Sequence, residues 1–187
     1  MSLASFRSSA STEIAVRNLD GGDGGANDEF RLIKWHFLAH VGSAGPNGRS
    51  PRIILVTSAR PGEGKSYVSH RLAANLALDP NIHVTLVDAN FEHPALGTSS
   101  WMGGSSGGPG LLDHLQDPSS GQGRLVMSTG LPNVKVILAG SARQNAPELV
   151  ANGRLEELLA LLVDEPNSFV VIDAGSVLGD ASAAILA

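Results

Sequence analysis

A chain of 187 residues with 42% hydrophobic content can bury one sizeable core, so a single domain is the default expectation. A net charge of -5 excludes a global basic field that would draw the chain to nucleic acid or anionic lipid, and zero cysteines exclude disulfides and Cys-ligated zinc. No uninterrupted apolar run approaches the roughly 20 residues of a membrane helix, and the N-terminus has no signal-peptide core, so the chain is expected to be soluble by itself.

Residues 1–27 are rich in Ser, Gly and Asn and hold too little apolar surface to offset their ordering entropy; they read as a tail or linker, with a weak extended signal at Ser11–Val16. The domain proper is expected to span 28–187. Asp28–Val41 reads as an amphipathic helix that packs on the sheet, with Phe30, Ile33, Phe37 and Val41 at helical spacing and acids in its first turn. His36 and His40, four apart, have the spacing to share a metal, but no third ligand accompanies them, and solvated or hydrogen-bonded histidines are the expectation. Three Gly and two Pro between Gly42 and Pro51 make a connector.

Arg52–Ala77 is the stretch around which the rest is organised. Ile53–Thr57 is the short apolar run of a buried parallel strand. Ala59-Arg60-Pro61-Gly62-Glu63-Gly64-Lys65-Ser66 then fits a phosphate-binding loop, with Ala instead of Gly at its first position, and a helix-permitting segment follows. Gly62 and Gly64 allow positive φ, so consecutive N–H groups can face one concavity. The helix N-terminus adds its unpaired amides, Lys65 is placed for β- and γ-phosphate oxygens, and the Ser66 hydroxyl for Mg²⁺. The nucleotide-contacting segment is therefore expected to be Arg60, Pro61, Gly62, Glu63, Gly64, Lys65, Ser66 and Tyr67. A Gly-rich strand-to-helix turn without a ligand is the bland alternative, disfavoured by the order strand, loop, helix.

His83–Asp88 is a second apolar run ending in an acid, as for a buried strand delivering a carboxylate to the sheet's carboxyl edge. A core-capping Asp is the other reading. Six glycines between Gly97 and Gly110 mark either a lid or partner loop around Trp101 and Met102 or a plain surface loop. Gly110–Leu115 suggests a short helix, Asn133–Gly140 a third strand and Pro147–Val163 one long helix with Leu155, Leu158, Leu159 and Leu162 inward. Ser168–Asp173 is a fourth strand, again ending in an acid, placed where phosphate-loop ATPases bind Mg²⁺. Alternating strands and helices call for an α/β fold, a mostly parallel sheet with helices on both faces, and for one more strand than the sequence holds after Asp173.

With these segments in order, the chain from Asp28 onward resembles the cytoplasmic kinase domain of the bacterial tyrosine autokinases, the BY-kinases of capsule and exopolysaccharide polymerisation and export. The residues that carry the resemblance are DEFRLIK, SARPGEGKS, VTLVDANFEHP, GLLDHL, LPNVKVILAG, NAPELV and FVVIDAGSVLGDA. It implies a phosphate-loop NTPase that binds ATP or ADP with Mg²⁺. Lys65, Asp88 and Asn90 would then carry catalysis, and Ser66, Asp88 and Asp173 the metal. It further implies a transmembrane polysaccharide co-polymerase as activator, in the same or a separate chain, homo-oligomers through the 28–41 helix, and a cytoplasmic place at the inner face of the membrane. No nucleic-acid partner is implied.

The pattern departs from that family in several places. Asp-x-Asp followed by basic residues is usual, and here stand Asp88-Ala89-Asn90 and then Glu92-His93; an amide hydrogen-bonds a metal-bound water but takes no proton. Ala174-Gly175-Ser176 replaces Thr-Pro-Pro, and Asp28, Arg31 and Lys34 stand for Glu, Arg and Arg. Tyr67 is the single tyrosine, so the 187 residues hold no tyrosine-rich segment of the kind these kinases phosphorylate. Two alternatives follow: a catalytically weak or inactive nucleotide-binding regulator, and a ParA/MinD-type ATPase, which would normally carry Lys at the loop position of Arg60.

Overall fold

The computed structural model describes residues 24–41, 52–98, 108–119, 125–141 and 145–187. The Ser11–Val16 segment, the 42–51 connector and most of the glycine-rich 97–110 stretch lie outside them, apart from their end residues.

Five strands form one sheet: β1 (Ile53–Ser58), β2 (His83–Ala89), β3 (Met127–Ser128), β4 (Val134–Ile137) and β5 (Ser168–Ser176). Their order is β1-β5-β2-β4-β3, parallel throughout except for the antiparallel β3–β4 pair. The helices are α1 (Gly24–Val41), α2 (Lys65–Leu76), α3 (Leu111–Gln116), α4 (Ala146–Val150), α5 (Arg154–Leu162) and α6 (Ala181–Leu186).

The period-2 alternation of the central strands builds two cores. Val84 and Leu86 of β2, Val136 of β4 and Phe169 and Val171 of β5 face one side, where they meet Leu72 and Leu76 of α2 and Phe30 of α1. Val87, Ala89, Ile137, Val170 and Ile172 face the other, against α3, α4 and α5 through Leu112, Leu149, Leu155 and Leu158. Helices on both faces of a mostly parallel sheet match the architecture expected from the sequence.

Five expectations are corrected. The first helix begins at Gly24, inside the expected tail, so Asp28 and Glu29 fall in its second turn. It packs mainly on α2, with Phe30 buried, Ile33 largely exposed and Lys34 Nζ donating to the Asn75 carbonyl at 3.1 Å. The expected helix Pro147–Val163 is two helices: Gly153 takes φ 84 and Asn152 Oδ1 accepts from Arg154 N–H at 2.9 Å, a turn that separates them. β4 stops at Ile137, and β5 runs past Asp173 to Ser176. α6 and the two-residue β3 were not anticipated.

Among the described residues, β1 pairs with β5 alone, so the strand that feeds the phosphate loop forms one edge of the sheet. No helix there is long and apolar enough to cross a membrane, and no group of three or more metal-binding side chains occurs.

Candidate nucleotide site

The segment after β1 folds as the motif requires. Gly62 and Gly64 adopt φ 81 and 88, and nothing lies within 4 Å of where a Cβ would stand on either; the requirement is for backbone conformation, not for space. Glu63 Oε2 accepts the Arg60 N–H at 3.0 Å and Ser58 Oγ donates to the Arg60 carbonyl at 2.8 Å, bracing the loop's entry. The first helical bond of α2 runs from Val68 N–H to the Gly64 carbonyl, so the amides of Lys65, Ser66 and Tyr67 have no partner within the helix. These amides and the helix dipole make an anion-attracting end.

The loop bounds a recess of about 330 Å³, lined on this side by Pro61, Gly62, Gly64, Lys65, Ser66 and Tyr67. Its other walls are Asn90, Glu92 and His93 after β2, Gly175 and Ser176 at the end of β5, and Asp180 beyond it. All three strand ends meet there, as expected at the carboxyl edge of a parallel sheet. The segment after β5 is tied to the loop: Val177 N–H donates to the Ser58 carbonyl at 3.0 Å and Leu178 N–H to that of Ala59 at 3.3 Å.

Asp88 and Asp173 are register partners on adjacent strands and both are fully buried. Asp88 Oδ1 accepts from Asn90 N–H at 3.2 Å and Oδ2 from Leu96 N–H at 3.1 Å, so both oxygens are engaged in holding the 90–96 segment. Burial pushes its pKa up to about 7; the charge of Asp173 adds to the rise, and the N–H groups of Leu96, Asn90 and Ala95 oppose it.

Asp173 is placed differently. Ser69 Oγ lies 3.1 Å from its Oδ1, while the buried Oδ2 has no hydrogen bond of adequate geometry. Burial raises its pKa, against which the hydroxyls of Ser66 and Ser69 and the buried Lys65 cation favour the charged form. An unpartnered buried carboxylate oxygen beside the Ser66 hydroxyl fits a divalent cation held by Ser66 and Asp173. Asp88, named above for both catalysis and metal, has each oxygen engaged by a backbone N–H, and neither it nor Asp173 lines the recess wall itself.

Of the expected loop contacts, Arg60 and Glu63 stand off the recess wall. Asp180 was missed, although an Asp before a helix is an N-cap signal: its Oδ1 accepts from Ser182 N–H at 2.8 Å. A Cβ at Gly175 would lie 2.2 Å from Asp180 Oδ2, so the glycine that replaces the family's proline is what lets this carboxylate pack against the strand end.

A parallel sheet with a glycine loop, a buried lysine and a strand-end acid defines a phosphate-loop NTPase fold. No protein-family model matches the sequence. Tyrosine-protein kinase CpsD of Streptococcus agalactiae is 27% identical over 139 residues, covering 68% of this chain and 58% of its own length. Tyrosine-protein kinase YwqD of Bacillus subtilis is 29% identical over 138 residues, covering 74% and 56%. The chain thus spans a little over half the length of these relatives. The BceF tyrosine kinase domain superposes with a TM-score of 0.69 at 27% identity, over 86% of this chain and 60% of that one. A ParA family ATPase from Chlorobium tepidum gives a TM-score of 0.53 at 21% identity, which shows a shared fold alone. Within the phosphate-loop class, the chain is a homologue of the bacterial tyrosine kinases and carries the fold of their kinase domain.

Proposed function

We propose that the chain is the Mg-ATP-binding domain of a bacterial protein tyrosine kinase that regulates exopolysaccharide or capsule polymerisation and export. The observation that carries this reading is the convergence of positive-φ glycines, unpaired helix amides and buried Lys65 on one edge of the recess, with half-satisfied Asp173 behind them beside Lys65 and Ser66. Bound Mg²⁺ would neutralise phosphate charge. Ser66 and Asp173 would hold it, the amides of 62–67 would cradle the phosphates, and Lys65 would offset charge developing on the transferred phosphoryl group. The domain works on the inner face of the membrane with a membrane-spanning activator. It self-associates through α1, whose Trp35 is 65% exposed and whose Arg31 pairs with Asp28 at 3.5 Å on the surface.

A second reading, a nucleotide-binding regulator with little or no phosphotransfer, is favoured by the engagement of both Asp88 oxygens and by the amide at Asn90. Incubating the full-length protein and its activator with γ-labelled ATP and a tyrosine substrate separates the two. Label on tyrosine supports the kinase; bound nucleotide without label supports the regulator; absence of nucleotide binding rejects both.

A further inference from the structure

Asn90 differs from a carboxylate at one atom, and its hydrogen bonds distinguish the two arms of the amide. Asn90 Oδ1 accepts the backbone N–H of His93 at 3.3 Å, an interaction only the carbonyl arm of the amide can make. Its own N–H is bound to Asp88 Oδ1, so backbone and side chain are both held within the 88–93 turn. Asn90 lies on the recess wall, and so do Gly62, Gly64, Lys65 and Ser66. With Oδ1 turned to the His93 N–H, the other arm is Nδ2, which only donates. An Asp at 90 would keep the His93 contact and offer a second oxygen, which only accepts when ionised.

We infer that Asn90 is a phosphate-binding donor: its Nδ2 hydrogen-bonds a terminal phosphate oxygen of the bound nucleoside triphosphate, a role opposite in polarity to that of a proton-accepting or metal-orienting carboxylate. The inference rests on the nucleotide-binding reading above. Charge points the same way, since Glu92 and Asp180 already put two carboxylates on the wall, and a third would add repulsion toward a polyanion. The donor also discriminates between nucleotides: a group that meets the terminal phosphate favours the triphosphate over the diphosphate.

The test is Asn90→Asp, which retains an acceptor for His93 N–H and so leaves the turn in place while inverting the other arm. Mg-ATP and Mg-ADP are titrated calorimetrically into the full chain, its Asn90→Asp and its Asn90→Ala forms. A hydrogen bond to a charged group is expected to show as roughly tenfold or greater weakening of Mg-ATP binding in both variants, with Mg-ADP changed much less. Unchanged or tighter Mg-ATP binding by Asn90→Asp overturns the inference while leaving the nucleotide site intact. Equal losses for ATP and ADP overturn it as well, because they report a disturbed turn. If the unmodified chain binds neither nucleotide, the underlying reading fails and the inference with it.

Discussion

Asp88 and Asp173 stand side by side at the tips of β2 and β5, both fully buried, yet their oxygens are satisfied differently. At the end of β2 the carboxylate is spent on backbone, tying down the segment that brings Asn90, Glu92 and His93 to the recess. At the end of β5 one oxygen is supported by Ser69 while the other has no adequate bond, beside a buried lysine and the Ser66 hydroxyl. A buried acid at a strand tip is thus structural or ligand-binding according to who satisfies its lone pairs.

The contrast is broken most severely at Asp88. Asp88→Ala strands buried N–H donors and is expected to cost about 3 kcal/mol or more of unfolding free energy, read from urea denaturation. Asp173→Asn keeps an oxygen for Ser69, so its stability change should be clearly smaller. Its effect belongs on the ligand: roughly tenfold weaker Mg-ATP binding with metal-free ATP little altered, measured by calorimetry.

pH sharpens the comparison further. The folded-state pKa of Asp88 is raised to about 7 from an ordinary value of 3.8, so between those values the folded chain binds the extra proton. Stability from this group is therefore full below about pH 4 and is lost as pH rises toward 7. Asp88→Asn should remove that downward slope, and identical pH profiles for the two proteins would show that Asp88 does not titrate there. The smallest effect is expected at exposed Glu63, where Glu63→Ala frees the Arg60 N–H to water and should shift stability by about 0.5 kcal/mol or less.

What the sequence made legible follows the same division. The phosphate loop was readable because its chemistry needs Gly62, Gly64, Lys65 and Ser66 at fixed spacing directly between a strand and a helix. The two-sided sheet was readable because β2 and β5 are near-continuous apolar runs. The different hydrogen bonding of Asp88 and Asp173 was not, because it depends on partners set by the fold: Ser69 is 104 residues from Asp173. The turn at Asn152-Gly153 did leave a signal, in the Asn-Gly pair itself and in the six-residue step from Leu149 to Leu155, which is not a helical spacing. β3 is two residues long and, among the described residues, paired with β4 alone, too short for any periodicity to show.

The central claim is that loop amides and Lys65 hold the phosphates of a nucleotide, with Asp173 acting through the Mg²⁺ they share. Calorimetric titration of Mg-ATP into the chain and into Lys65→Ala tests it directly. The account predicts saturable binding at one site per chain that is abolished or weakened at least roughly a hundredfold by the substitution. No binding by the unmodified chain, or equal affinity in both proteins, would contradict it.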